Sequence, residues 1–271
     1  FRFAAEWRLQ ADEKAYEGVL RDHHLFMALF LDRPASDEAM ALLKKSNALH
    51  ADPSYLHVAA GYQAWQRRDY PGLIQAWATL SGNLANVSAR QGQSQNYPLP
   101  YLALAHAATG RIADFKPTVA QYAERFPDSM DARLAQAVVA AAEARPQDAE
   151  DLLWRAFVNS ASTDKRPIFS RLMVLEITEG MFEQTRDERF RRLLVDLARR
   201  HQHAGSMQAY SYAFEARYTQ SAEDRRRALG AAMYLDRRSV RIARFGEQER
   251  ADAVDERLDA RVGEVAVHRG Q

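Results

Sequence analysis

The sequence predicts an all-α chain of antiparallel helix hairpins stacked in chain order. Three observations predict it. Apolar residues recur three and four apart through almost every segment, the spacing that gathers side chains on one face of a helix. Breaks marked by Pro and Gly interrupt that rhythm at short intervals. Period-two alternation and Asn-Gly or Asp-Gly hairpin signals are essentially missing.

The elements follow in order. HHLFMALFLDRPASDEAMALLKK (23–45) reads as a helix, a break at Asp32-Arg33-Pro34, and a second helix with Ser36 or Asp37 as N-cap. Tyr55, Val58, Tyr62 and Trp65 then share one helical face, and Tyr70, Leu73, Trp77 and Leu80 repeat the spacing after RRDYPG. Pro71 and Gly72 both oppose helix interior, while Pro suits a first turn, where its missing N–H is not needed. A polar insertion, LANVSARQGQSQNYPLP, separates this hairpin from the next. Segment 101–129 breaks at Gly110 and ends at Phe126-Pro127-Asp128, and segment 130–157 breaks around Arg145-Pro146. Segment 166–200 is expected to break at Gly180, with a longer connection, and segment 206–239 near Thr219 to Ser221. A capping helix over roughly 239–262 would lay Val240, Ala243, Ala251, Val254 and Leu258 on the array and turn its charges outward.

Composition agrees with one large helical domain over 1–271. The 271 residues are 47% hydrophobic with only 12 Gly and 9 Pro, enough apolar material for a sizeable core. A formal net charge of +1 gives no general attraction to nucleic acid or membrane. Cysteine is absent, which removes disulfides, thiolate zinc sites and thiol catalysis together and favours the periplasm slightly over the cytoplasm. No run reaches the roughly 18 apolar residues of a membrane span. The chain opens on Phe1 within FRFAAEWRL, which reads as helix interior and points to a piece or processed form of a longer protein. Richness in Ala and Arg points to a bacterial source.

Aligning the breaks exposes a repeat. A small residue falls mid-way along each first helix, at Gly61, Ala103, Ala137 and Ala213. The opposing second-helix positions are Ala39, Leu73, Phe115 and Ala149, followed one turn later by Leu43, Trp77, Val119, Leu153 and Leu229. Ala103 and Ala137 stand one unit of about 34 residues apart, and RFPDS and YLDRRS resemble repeat-ending turns. From about 20 to 236 the chain resembles tetratricopeptide-repeat proteins, with about six hairpins. The family's early Trp and first-helix Tyr are missing from most units, and its helix-ending Pro is clear only at Pro127. The resemblance implies a right-handed α-solenoid whose first helices line a concave, partner-binding side. That lining would present Tyr55, Val58, Tyr62 and Trp65, then Tyr97 and Leu104, then Met207, Tyr210, Phe214 and Arg217. Partner contact is accordingly expected at Tyr55, Tyr62, Trp65, Tyr97, Tyr210, Phe214 and Arg217, since aromatics and Arg dominate many interfaces. The same residues could instead be covered by the chain itself or by a second copy in a homodimer.

Chemistry is thinly represented. His23-His24 and His201-Gln202-His203 are the only His clusters, and no H-E-x-x-H pairing accompanies them. His201 and His203 read as surface or capping residues where a helix ends before Gly205. No G-x-S-x-G elbow and no phosphate-cradling Gly-rich loop occurs. Carboxylate pairs such as Asp148 and Asp151 are what any solvated helix face carries. Arg189, Arg191, Arg192, Arg199, Arg200, Arg225, Arg226 and Arg227, continued by Arg237, Arg238, Arg241 and Arg244, form a basic tract. Arg binds carboxylate and phosphate bidentately, so the tract could hold an acidic tail. The simpler reading pairs it with Glu223, Asp224, Asp236, Glu247 and Glu249. Aromatics are not interleaved with it as single-strand nucleic-acid binding requires.

The expectation is a non-catalytic scaffold that binds a protein or peptide, with no cofactor and no metal. One alternative is a regulatory segment of a larger bacterial membrane, secretion or enzyme protein. Another is a helical metal-dependent hydrolase using the His and acidic residues.

Overall fold

Several helix starts fall where Pro or a capping side chain stands. The computed structural model describes residues 54–84, 98–163, 167–202 and 208–235. They form ten helices, with no strand among the described residues. In order these are α1 (Ser54–Gln66), α2 (Tyr70–Leu84), α3 (Pro98–Ala108), α4 (Ile112–Arg125) and α5 (Met130–Ala142). Then come α6 (Pro146–Thr163), α7 (Pro167–Thr185), α8 (Glu188–His201), α9 (Gln208–Tyr218) and α10 (Ala222–Leu235). Three of them start on a proline, where no intrahelical N–H is lost. Ser129 caps α5 by accepting from Ala132 N, and Asp187 caps α8 by accepting from Arg189 N at 2.9 Å. The hairpin expected from His23 to Lys45, the cap at 239–262 and residues 85–97 of the 84–100 insertion lie outside the described residues.

Four turns share one device. Arg68 (φ 56°), Gly110 (φ 70°), Ala144 (φ 57°) and Arg186 (φ 55°) follow α1, α3, α5 and α7 in the left-handed conformation. At the first three, the N–H of that residue and the N–H after it reach back over the helix end. Arg68 N donates to Trp65 O and Asp69 N to Ala64 O, and the pairs after α3 and α5 match. This pattern satisfies helix-terminal carbonyls. Glycine occupies only one of the four positions, so three side chains bear a left-handed penalty of about 1 kcal/mol each, offset by these bonds.

Consecutive described helices pack on one another from α1 to α10. Small residues sit where they cross. Gly61, Ala103, Ala137 and Ala213 are all buried, as are Leu73, Phe115 and Ala149 opposite them. Trp77, Val119 and Leu153 are buried one turn on, but Leu229 only half so. A Cβ on Gly61 would lie 1.9 Å from Trp77 Cε2, which explains the glycine. Around that crossing Tyr62, Trp65, Trp77 and Tyr101 meet edge to face at 4.9–6.2 Å, the geometry that aromatic quadrupoles favour.

α7 corrects the sequence reading. It does not break at Gly180 but runs on to Thr185, and the left-handed turn comes at Arg186. Every residue from Leu172 to Met181 is buried, Glu176, Thr178 and Glu179 included. A helix buried on all sides is a central one, and α7 touches α3, α5, α6, α8 and α9. Gly180 serves the approach to α3, since a Cβ there would lie 2.2 Å from Leu104 Cδ2.

Candidate functional site

The expected aromatic lining is buried. Tyr62 (1% exposed), Trp65 (3%), Tyr210 (3%) and Phe214 (2%) are core residues, not an open concave surface. The exposure expected of them is therefore corrected. A Cβ added at Gly180 of α7 would lie 3.2 Å from the Trp65 ring, so the chain itself packs against this residue. Tyr55 belongs to α1, but its side chain lies outside the described residues, as does Tyr97 entirely. Arg217 alone of the seven is described and exposed.

Arg217 leads to a feature the sequence reading missed. On α7, Glu179 and Glu183 stand one turn apart and face the same two arginines. Arg68 donates from Nη2 to Glu179 Oε2 at 3.0 Å and pairs through Nε with Glu183 Oε2 at 3.0 Å. Arg217 donates from Nη1 to Glu179 Oε1 at 3.0 Å and approaches Glu183 Oε1 at 3.6 Å. Tyr218 adds an O–H bond of 2.7 Å to Glu179 Oε1. Burial, reinforced by the Glu179 charge, pushes the Tyr218 hydroxyl far above its usual range, so it stays a donor. The left-handed turn at Arg68 also sets its guanidinium 4.4 Å over the Trp65 ring. One network thus ties the α1–α2 turn to α7 and α9.

A second network sits on the other side of α9. Glu215, fully buried, accepts from Arg199 Nε and Arg227 Nη2, both at 2.7 Å, and from Gln202 Nε2 at 2.5 Å. Asp224 binds Arg199 Nη2 at 2.9 Å as well. Arg199 and Arg227 keep 43% and 52% of their side chains exposed, against 36% for Asp224. The bond to Glu215 raises the Arg199 pKa further. Arg191 donates to Tyr218 O at 2.7 Å and Arg225 to Thr219 O at 3.3 Å, closing the α9 C-terminus.

Compared with known proteins, the chain matches no family model, no curated protein and no solved structure.

The histidines divide differently from the sequence reading. His201 is neither surface nor cap but buried, with Nδ1 2.5 Å from the buried Ser211 Oγ. Burial first, and the Arg171 charge second, lower its pKa to about 4, so the ring is neutral at pH 7. A Ser–His contact is the beginning of a nucleophile. Here Ser211 has no exposed surface and Nε2 has no hydrogen-bond partner, so no carboxylate orients the ring. His106 stacks flat on Phe115 at 4.5 Å. Its pKa is lowered by burial and by Arg111. Among the described residues no three His, Asp or Glu are grouped to hold a metal ion. No described helix is long and apolar enough to cross a membrane. Asp148 is exposed and pairs with Arg145, as a solvated face predicts. His23-His24 and His203 lie outside the described residues.

A sequence signal for the buried acids existed. In RLMVLEITEGMF the two glutamates stand inside an otherwise apolar helix, and a charge there must find a partner when the helix is covered on all sides.

Proposed function

We propose that the chain is a non-catalytic interaction module that docks a protein partner, organised as a tetratricopeptide-like right-handed solenoid. The helix pairs joined by left-handed turns at Arg68, Gly110, Ala144 and Arg186 support the hairpin repeat. Contacts of α3 with α5, α5 with α7 and α7 with α9 support the stacking of first helices. With the aromatic face occupied by α7, the binding surface moves to the arginine face of α8 and α10.

One observation carries this reading. Glu215 is fully buried and grips Arg199 and Arg227 from beneath, so both guanidiniums are held in place while half exposed. Pre-positioned side chains lose less freedom on binding. Toward solvent the cluster shows two arginines against the half-exposed Asp224, with the exposed Asp196 one turn before Arg199, and the arginines can pair with carboxylates of an acidic partner. Arg192, two turns before Arg199 on α8, and Arg226 beside Arg227 on α10 are exposed and extend it.

The test reverses the two outer charges. A partner is recovered on immobilised wild-type chain and then titrated against wild type and the Arg192→Glu, Arg226→Glu double variant. Loss of about tenfold or more in affinity, shrinking as salt rises, is expected. Equal affinity with an unchanged helical signal overturns the reading.

A further inference from the structure

Arg199 and Arg227 are already bridged by a carboxylate, and that carboxylate is the chain's own. Asp224 on α10 places Oδ2 2.9 Å from Arg199 Nη2 and Oδ1 3.5 Å from Arg227 Nη2. From the buried side, a single oxygen of Glu215, Oε1, accepts from Arg199 Nε and Arg227 Nη2, both at 2.7 Å. Two guanidiniums therefore stand between two acids. The acids differ in burial: the Glu215 side chain has no exposed surface, whereas Asp224 keeps 36% of its own.

Burial makes the two contacts unequal. Glu215 is fixed, because a buried carboxylate stripped of its partners is costly. Asp224 is exchangeable. It pairs with side chains that are 43% and 52% exposed, where ion pairs are weak and screened by salt. Its longer contact ends on Arg227 Nη2, the same nitrogen that serves Glu215. Asp224 and Arg227 stand one turn apart on α10, so rotating one half-exposed side chain vacates the place without moving a helix. Glu215 still holds both guanidiniums where a carboxylate can bridge them.

We propose that Arg199 and Arg227 form a carboxylate-binding site that Asp224 occupies in the free chain, and that a Glu or Asp side chain of an acidic partner segment takes its place. The inference rests on the arginine-face reading and deepens it. Asp224 acts as an internal competitor that lowers the affinity of the site. Asp196, exposed on α8 one turn before Arg199, carries the same charge but does not bridge the two arginines. It is the control for charge alone.

The test titrates the full chain into a fluorescein-labelled hexaglutamate peptide, with hexaglutamine as the neutral reference, at constant ionic strength. Anisotropy gives the affinity. The Arg199 Nε–H resonance, assigned by its loss in Arg199→Lys, reports on the site when unlabelled peptide is added. Hexaglutamate alone should bind saturably and shift that resonance. Asp224→Ala should tighten binding about three- to fivefold, the gain expected when a competing exposed ion pair is removed. Asp196→Ala should gain less than about twofold, since it only reduces a screened repulsion. Should Asp224→Ala lose its helical signal, Asp224→Asn and the wild-type Arg199 shift carry the test. Equal gains from Asp224→Ala and Asp196→Ala, or binding that leaves the Arg199 resonance unmoved, overturn the proposal while leaving the arginine face standing. No saturable binding by wild type or by Asp224→Ala overturns it as well, whereas the face reading is judged separately by the Arg192→Glu, Arg226→Glu variant on the recovered partner.

Discussion

Gly180 of α7 lies directly against Leu104 of α3, so that a methyl group on Gly180 would stand 2.2 Å from Leu104 Cδ2. The two residues belong to helices well separated in the chain, and their contact seats α7 over the aromatic cluster of α1 to α3.

Gly180→Ala should therefore destabilise the protein, although alanine favours helix by about 1 kcal/mol. Overpacking costs about 1–3 kcal/mol and outweighs that gain. Thermal melting checks the sign. Leu104→Ala combined with Gly180→Ala should cost less than the sum of the two single changes, because both act on one contact.

Trp77 has no exposed surface and fills the hollow over Gly61. Trp77→Ala should cost about 3–5 kcal/mol in denaturant unfolding. Gly61→Ala should also destabilise, because the indole it strikes is enclosed and has nowhere to move. A neutral Gly61→Ala would show that α1 and α2 cross elsewhere.

Glu179 holds Arg68, Arg217 and Tyr218 from a fully buried position. Glu179→Gln should cost about 1.5–3 kcal/mol, the range for hydrogen bonds to charged groups, with little dependence on salt. Glu143, which pairs with Lys116 and Arg145 on the surface, is the control. Glu143→Gln should change stability little, and what change there is should fade at high salt.

His201 makes stability depend on pH. Its pKa is lowered from 6.5 to about 4 in the folded chain, so between those values the unfolded state binds more protons. Stability should be full above pH 6.5, fall as the pH drops toward 4, and change no further below that on this account. The loss should approach about 3 kcal/mol at about 1.4 kcal/mol per pH unit. His201→Gln should flatten this part of the profile in denaturant titrations run from pH 7 to pH 4.

Helix order was legible because its signals are local. Ser129, Asp187 and the starting prolines announce helix ends through the backbone groups they satisfy or lack. Gly61 and Ala137 announce crossings because only small residues fit there. Gly180 misled for an instructive reason: glycine marks a break and a close helix contact alike, and nothing in its neighbours says which. His201 misled in the same way. A histidine at a helix end suits either solvent or burial, and Ser211, which receives it, lies in the next helix.

The sequence by itself determined an all-α chain, the places where most described helices begin and end, and the small-against-large pairs at their crossings. These follow from periodicity and from chemistry acting within a few residues. Only the tertiary structure decided that α7 packs on Leu104 and Trp65 while Trp77 and Tyr101 enclose Tyr62, turning both aromatics from an expected lining into core. It also decided that Glu179 and Glu215 would each gather two arginines from separate parts of the chain. The physical reason is that a helical stripe records which side of a helix is apolar, not which distant helix will cover it. That choice is settled by packing summed over the whole array, where a single missing Cβ at Gly180 lets two helices approach and leaves the charges beside them to be matched.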